Sequence, residues 1–186
     1  MEKSINNEQK KTWLDHIGKF ILGEKQPDSL TKVTFYSCLF LWSIFFVWSL
    51  LSFGAIFFRE TIQNEKKLPV SDMINARGIE LGFDSGDFID RLLVFHAISL
   101  ISWIIVLVGI LFIWRKIPSY VYFFFGGTGI YFLTMVLYLN LDYYIEDTTF
   151  FDKIAFIALN LSGAINTLFL KTNSNQASTG LFEEED

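Results

Sequence analysis

Four stretches of this sequence lack lysine, arginine, aspartate and glutamate altogether: Val33 to Phe58, Leu92 to Trp114, Pro118 to Leu139 and Ile154 to Leu170. A water-soluble helical bundle is excluded by that absence, because each of its helices needs polar residues every third or fourth position to face solvent. Between Leu92 and Trp114 the only departures from apolar character are His96, Ser99, Ser102 and Gly109. Cysteine is reduced to Cys38 alone, which rules out an intramolecular disulfide and leaves the redox compartment unread. Histidine occurs twice, at His16 and His96, on different elements, so no metal cluster forms from them.

Enzymatic signatures are missing as well. The chain has no His-Glu-x-x-His, no Walker loop, no Gly-x-Ser-x-Gly and no paired thiols. A non-enzymatic protein without cofactor or metal is expected. The net charge of −5 has no clustered basic face behind it, so nucleic acid is not a partner. Alanine and proline are scarce while Phe, Ile, Asn and Lys are abundant, which fits an AT-rich bacterial genome.

What is present is apolar length. A hydrocarbon layer offers no water to backbone amides, so a segment of about 17 to 25 apolar residues persists there only as a closed helix. With 52% hydrophobic residues and a mean hydropathy of +0.38, the composition lies beyond the ordinary soluble range. The sequence therefore predicts an all-α fold, a four-span antiparallel transmembrane helix bundle with an N-terminal amphipathic interfacial helix. Its divisions are an N-terminal segment 1–32, a four-helix domain 33–170 with an outer loop 59–91, and a disordered acidic tail 171–186. The lipid bilayer is the first partner implied.

The amphipathic helix is read from residues 9–22. There Trp13, Leu14, Ile17, Phe20 and Ile21 share one face, and Lys10, Lys11, Asp15 and Lys19 fall away from it. Trp13, Ile17 and Phe20 are the expected membrane-surface anchors. No cleavable signal peptide is expected, since 32 mostly polar residues precede the first apolar run, which reads as an uncleaved anchor. Ser29 or Thr31 is the expected cap of the first span, Ser71 that of a short helix in the outer loop, and Ser85 with Asp87 the start of the second span. The outer loop should be partly ordered. Arg115-Lys116-Ile117 joins spans two and three as an antiparallel hairpin, with Pro118 tolerated in the first turn. Nine Lys/Arg on the side of both termini and this turn, against six on the other, favour cytoplasmic termini in a bacterial inner membrane.

Candidate functional residues are the polar and small ones inside the spans. His96 is the strongly titratable side chain there, with Ser99 three residues on, and an ionisable group in lipid implies gating, sensing or a helix contact. The fourth span carries Asn160, Ser162, Gly163, Asn166 and Thr167, and two amides at membrane depth need a neighbouring helix or a water-filled path. Gly126, Gly127 and Gly129 interrupt the third span and imply a close packing contact or a hinge. Asp84, Asp87 and Asp90 depart from a calcium-loop pattern and mark a solvated helix start. The leading expectation is a multi-pass membrane subunit acting as sensor, regulator or accessory partner of a second protein. The alternative is a homo-oligomeric ion channel with the fourth span lining the path.

Overall fold

The computed structural model describes residues 27–179, with side chains as far as residue 169. The expected amphipathic helix with Trp13, Ile17 and Phe20, and the acidic residues 183–186, lie outside the described residues. Six helices and no strands make up what is described. They are α1 Ser29–Phe57, α2 Arg59–Lys66, α3 Val70–Glu80, α4 Asp87–Trp114, α5 Tyr120–Glu146 and α6 Phe150–Thr179.

Among the described residues three helices, α1, α4 and α5, are long and apolar enough to cross a membrane. Their flanks say which solvent surrounds them. Phe40, Trp48, Leu51, Tyr122, Leu133 and Leu137 all point outward and are largely exposed. Exposed apolar flanks of this kind would aggregate in water and are at rest in lipid. The chain is a membrane protein.

The ends of the helices follow local chemistry. The N-cap of α1 is Asp28, not Ser29 or Thr31 as the sequence suggested; the Thr31 hydroxyl donates to Asp28 Oδ1 at 2.6 Å. The cap also accepts from Lys116 Nζ at 2.7 Å, tying the start of α1 to the α4–α5 turn. Within that turn Lys116 adopts a left-handed conformation (φ 53°), and Ser119 is the N-cap of α5, so Pro118 stands just before the helix rather than in its first turn. Likewise α3 starts behind Pro69, so Ser71 is its second residue and not its cap. Gly86 (φ 91°), not Ser85, precedes α4, a backbone angle that glycine adopts without penalty. A reciprocal cap begins α6: the Thr149 amide donates to Asp152 Oδ2 at 3.1 Å and the Asp152 amide to Thr149 Oγ1 at 3.1 Å. Its backbone stays helical past Lys171 to Thr179, through residues that the sequence reading places in the tail.

Helix α5 is longer than its apolar stretch. It runs on through Asp142, Tyr143, Tyr144 and Glu146, broken at Asn140, whose φ of 65° and ψ of 166° are not helical. Residues 141–146 therefore form a separate outer segment set at an angle to the rest.

Helices α4 and α5 make the most extensive pair in the molecule, and α1 packs on α4 and α6. One core, between α1, α4, α5 and α6, holds Phe35, Phe45, Trp103, Val106, Ile110, Tyr120, Phe124 and Leu159. A second core lies under the loop that carries α2 and α3. It comprises Ile56, Leu81, Phe83, Phe88, Ile89, Leu92, Phe95, Met135 and Leu139. The outer loop is thus an ordered cap, docked over one end of the bundle, hereafter the cap end.

Candidate functional site

Polar groups inside the bundle fall into three clusters. Near the middle, Trp42 Nε1 donates to the Trp103 carbonyl at 2.7 Å, and Trp103 Nε1 donates to Ser49 Oγ at 3.2 Å. Both indole N–H groups are satisfied, as buried tryptophans require. Phe45 stacks on Trp103 with centroids 5.0 Å apart.

The second cluster joins α5 to α6. Thr128 Oγ1 donates to Asn160 Oδ1 at 3.0 Å, and Asn160 Nδ2 donates to the Phe156 carbonyl at 2.9 Å. Two turns along the same interface, the Tyr120 hydroxyl shares a 2.6 Å hydrogen bond with Thr167 Oγ1 and lies 3.1 Å from the Gly163 carbonyl, to which Thr167 also donates. Gly163 lets the Phe124 ring approach α6 closely; a Cβ there would stand 2.5 Å from Phe124 Cε1. Ser162 donates to the Ala158 carbonyl of its own helix. Asn166 is buried, and its Nδ2 has no hydrogen-bond partner among the described residues.

Close backbone approach explains how α4 and α5 pack so tightly. A Cβ on Gly109 would stand 2.6 Å from the Phe124 amide nitrogen, and one on Gly127 would stand 2.6 Å from Val106 Cγ2 and 2.9 Å from the Ser102 carbonyl. Each glycine faces the partner helix at its own level, Gly109 against Phe124 and Gly127 against Ser102 and Val106. Gly126 and Gly129 point the other way, with nothing within 4 Å of the position a Cβ would take.

The third cluster lies at the cap end, where residues of α1, α3, α4 and α5 line an open cleft of about 360 Å³. Its mouth is charged. Arg77 on α3 reaches Asp147 at 2.7 Å, Glu80 at 2.7 Å and Glu146 at 3.3 Å. Those carboxylates, Glu80 first and then Asp147, push the guanidinium pKa up still further from its already high value. Phe88, Leu92 and His96, spaced four residues apart on α4, run from this mouth toward the membrane interior. His96 is 7% exposed, and its Nδ1 is buried without a hydrogen-bond partner. Ser99 does not supply one, because its hydroxyl donates to the Phe95 carbonyl at 2.8 Å. Among the described residues no group of three His, Cys, Asp or Glu stands together as metal ligands.

Several of these residues escape sequence reading. Arg77 and Asp147 sit in segments with many charges, and nothing in their spacing pairs them. Tyr120 is one of seven tyrosines, and nothing in its local sequence sets it apart. Gly109 is a lone glycine in an apolar run, where only the partner helix reveals its use. No family model matches the chain, and no curated protein or solved structure is significantly similar to it.

Proposed function

We propose that this chain is a non-enzymatic multi-pass membrane subunit that senses, regulates or assists a second protein. In this reading α6 is a fourth span antiparallel to α1. Both termini and the turn at 115–117 face the cytoplasm, and the cap faces outward from a bacterial inner membrane.

The observation that carries the reading is the use made of the polar side chains of α6. Asn160 and Thr167 are engaged with Thr128 and Tyr120 of α5, so the groups best suited to line a path instead hold two helices together. Interhelical hydrogen bonds of this kind contribute about 0.6 to 2 kcal/mol each. What the bundle turns outward is apolar flank and an acidic ordered cap, which are recognition surfaces rather than reactive groups.

The test is proximity crosslinking in native membranes from positions in the 59–91 loop, followed by purification in mild detergent. A second protein should be recovered through the cap and lost when the loop is replaced by a flexible linker. Recovery of self-oligomers alone would count against the proposal.

A second reading, a homo-oligomeric ion-conducting pore, is favoured by Asn166, an amide at membrane depth whose buried Nδ2 has no hydrogen-bond partner among the described residues and which a water-filled path would satisfy. Purified protein in liposomes should then dissipate an ion gradient, with Asn166→Leu reducing the flux. A well-folded oligomer that passes no ions removes this reading.

A further inference from the structure

Four aromatic side chains, one from each long helix, form a single layer across the bundle. Phe45 of α1 meets Trp103 of α4, Tyr131 of α5 and Phe156 of α6, with ring centroids 5.0, 6.5 and 6.1 Å away. Counted from that layer toward the cap end, α1 runs about 21 Å to its first charge, Arg59, and α4 about 18 Å to Arg91. Helix α6 begins only about 9 Å from the layer, and its Asp152 stands about 6 Å from it. The pairing of Thr128 with Asn160 gives the same depth, since its antiparallel register sets Asp152 level with Val136, inside the apolar run of α5. The chain arrives there by turning back at Asn140: Tyr143 lies 6.4 Å from Phe95 and Tyr144 5.5 Å from Phe132.

The late start of α6 leaves a notch of about 540 Å³ beside α1. Ile44, Val47, Trp48 and Phe151 are its apolar walls, and Thr149 and Asp152 its polar end. It opens sideways, because Val47, Trp48 and Phe151 are 51%, 65% and 62% exposed. The Asp152 side chain is half-buried there. Its Oδ2 accepts from the Thr149 amide and hydroxyl, while no donor among the described residues reaches Oδ1. Lys153 does not neutralise it, being turned to the Ile145 carbonyl at 2.8 Å and the Tyr144 ring.

A carboxylate at this depth against hydrocarbon is costly unless a cation meets it or the bilayer thins to bring the headgroups down. Lipid supplies both. We propose that the notch seats the headgroup of an amine-bearing phospholipid from the cap-side leaflet, its ammonium donating to Asp152 Oδ1 and its acyl chains against the apolar walls. That leaflet is then thinned beside α6 by roughly 10 Å, the difference between the start of α6 and the ends of the α1 and α4 runs. The site goes beyond the proposed subunit role and is the same for either orientation of the bundle.

Phe151 and Leu137 are similarly exposed and lie at nearly the same height above the aromatic layer, so a nitroxide on each tests the depth. In a Cys38→Ala chain reconstituted in bilayers of equal phosphatidylethanolamine and phosphatidylglycerol, the label at Phe151→Cys should collide with water-soluble nickel chelate, relative to oxygen, roughly threefold or more above that at Leu137→Cys. Native mass spectrometry of protein released from the same bilayers should show the ethanolamine lipid retained over the glycerol lipid by roughly fivefold or more. Asp152→Asn keeps an acceptor for Thr149 and should abolish that preference. Equal depth at the two labels, equal retention of the two lipids, or a preference that survives in Asp152→Asn overturns the proposal. So does a Phe151→Cys label shielded from both nickel and oxygen, which would mean that a helix of another chain fills the notch.

Discussion

Arg77 and Asp147 stand 70 positions apart in the chain, and two guanidinium nitrogens of the first meet one carboxylate oxygen of the second at 2.8 and 2.7 Å. The pair fastens the cap helix α3 to the residue that ends α5. Gly78, the next residue along α3, lies directly on Phe88, where a Cβ would stand 2.5 Å from the Phe88 Cβ. Ionic and apolar contacts thus dock the same turn of α3.

Loss of this fastening should loosen the cap without unfolding the bundle. Arg77→Ala is expected to raise amide exchange and proteolytic cleavage within residues 59–86 several-fold, while exchange in the middle of α4 stays unchanged. Hydrogen exchange read by mass spectrometry in detergent separates the two regions. Uniform acceleration across both would show that the ion pairs support the whole fold instead.

The glycines of α4 and α5 give opposite expectations within one short stretch. Gly109→Ala and Gly127→Ala push a Cβ into backbone or a branched side chain of the facing helix, and each should cost about 1–3 kcal/mol. Gly126→Ala and Gly129→Ala meet open space and should be neutral or stabilise the helix by up to about 1 kcal/mol. Thermal unfolding of the four variants in one detergent checks both signs together.

Asn140 holds a backbone angle that non-glycine residues avoid, at a cost of about 1–3 kcal/mol. Asn140→Gly should therefore raise the unfolding temperature while keeping the break in α5. A fall would mean that the asparagine side chain contributes more than the backbone loses.

The Asp28 carboxyl is lowered from the ordinary aspartate value of 3.8 to about 2, chiefly by the hydrogen bond from Lys116 and next by that from Thr31. A depressed carboxyl contributes stability above its unfolded pKa and loses it as pH falls through the folded one. The contribution is therefore complete above about pH 4 and gone below about pH 2. Asp28 is 50% exposed, so solvent screening holds it to about 1 kcal/mol or less. Acid unfolding of Asp28→Asn beside the parent chain should show a smaller decline across this window, and parallel curves would sink the assignment.

Helix existence was legible where length alone decides it, in the charge-free runs that became α1, α4 and α5. Boundaries were less so. The expected end of the third span at Leu139 marks where apolar character stops and the helix breaks at Asn140, yet a further helical segment runs to Glu146, with Tyr143 and Tyr144 packed under the cap. Serines seemed natural caps, but Asp28 and Gly86 took those places, the first through its ion pair to Lys116 and the second through its backbone angle. For the site, polarity within the spans drew attention to His96, Asn160 and Thr167. Their partners Thr128 and Tyr120, and the cleft around His96, depend on which helices meet, and the local pattern does not encode that.

The break at Asn140 makes the outer end of α5 a short arm, jointed at one residue and gripped at its tip by Arg77. Whatever displaces α3 must therefore either part those ion pairs or turn the arm about Asn140.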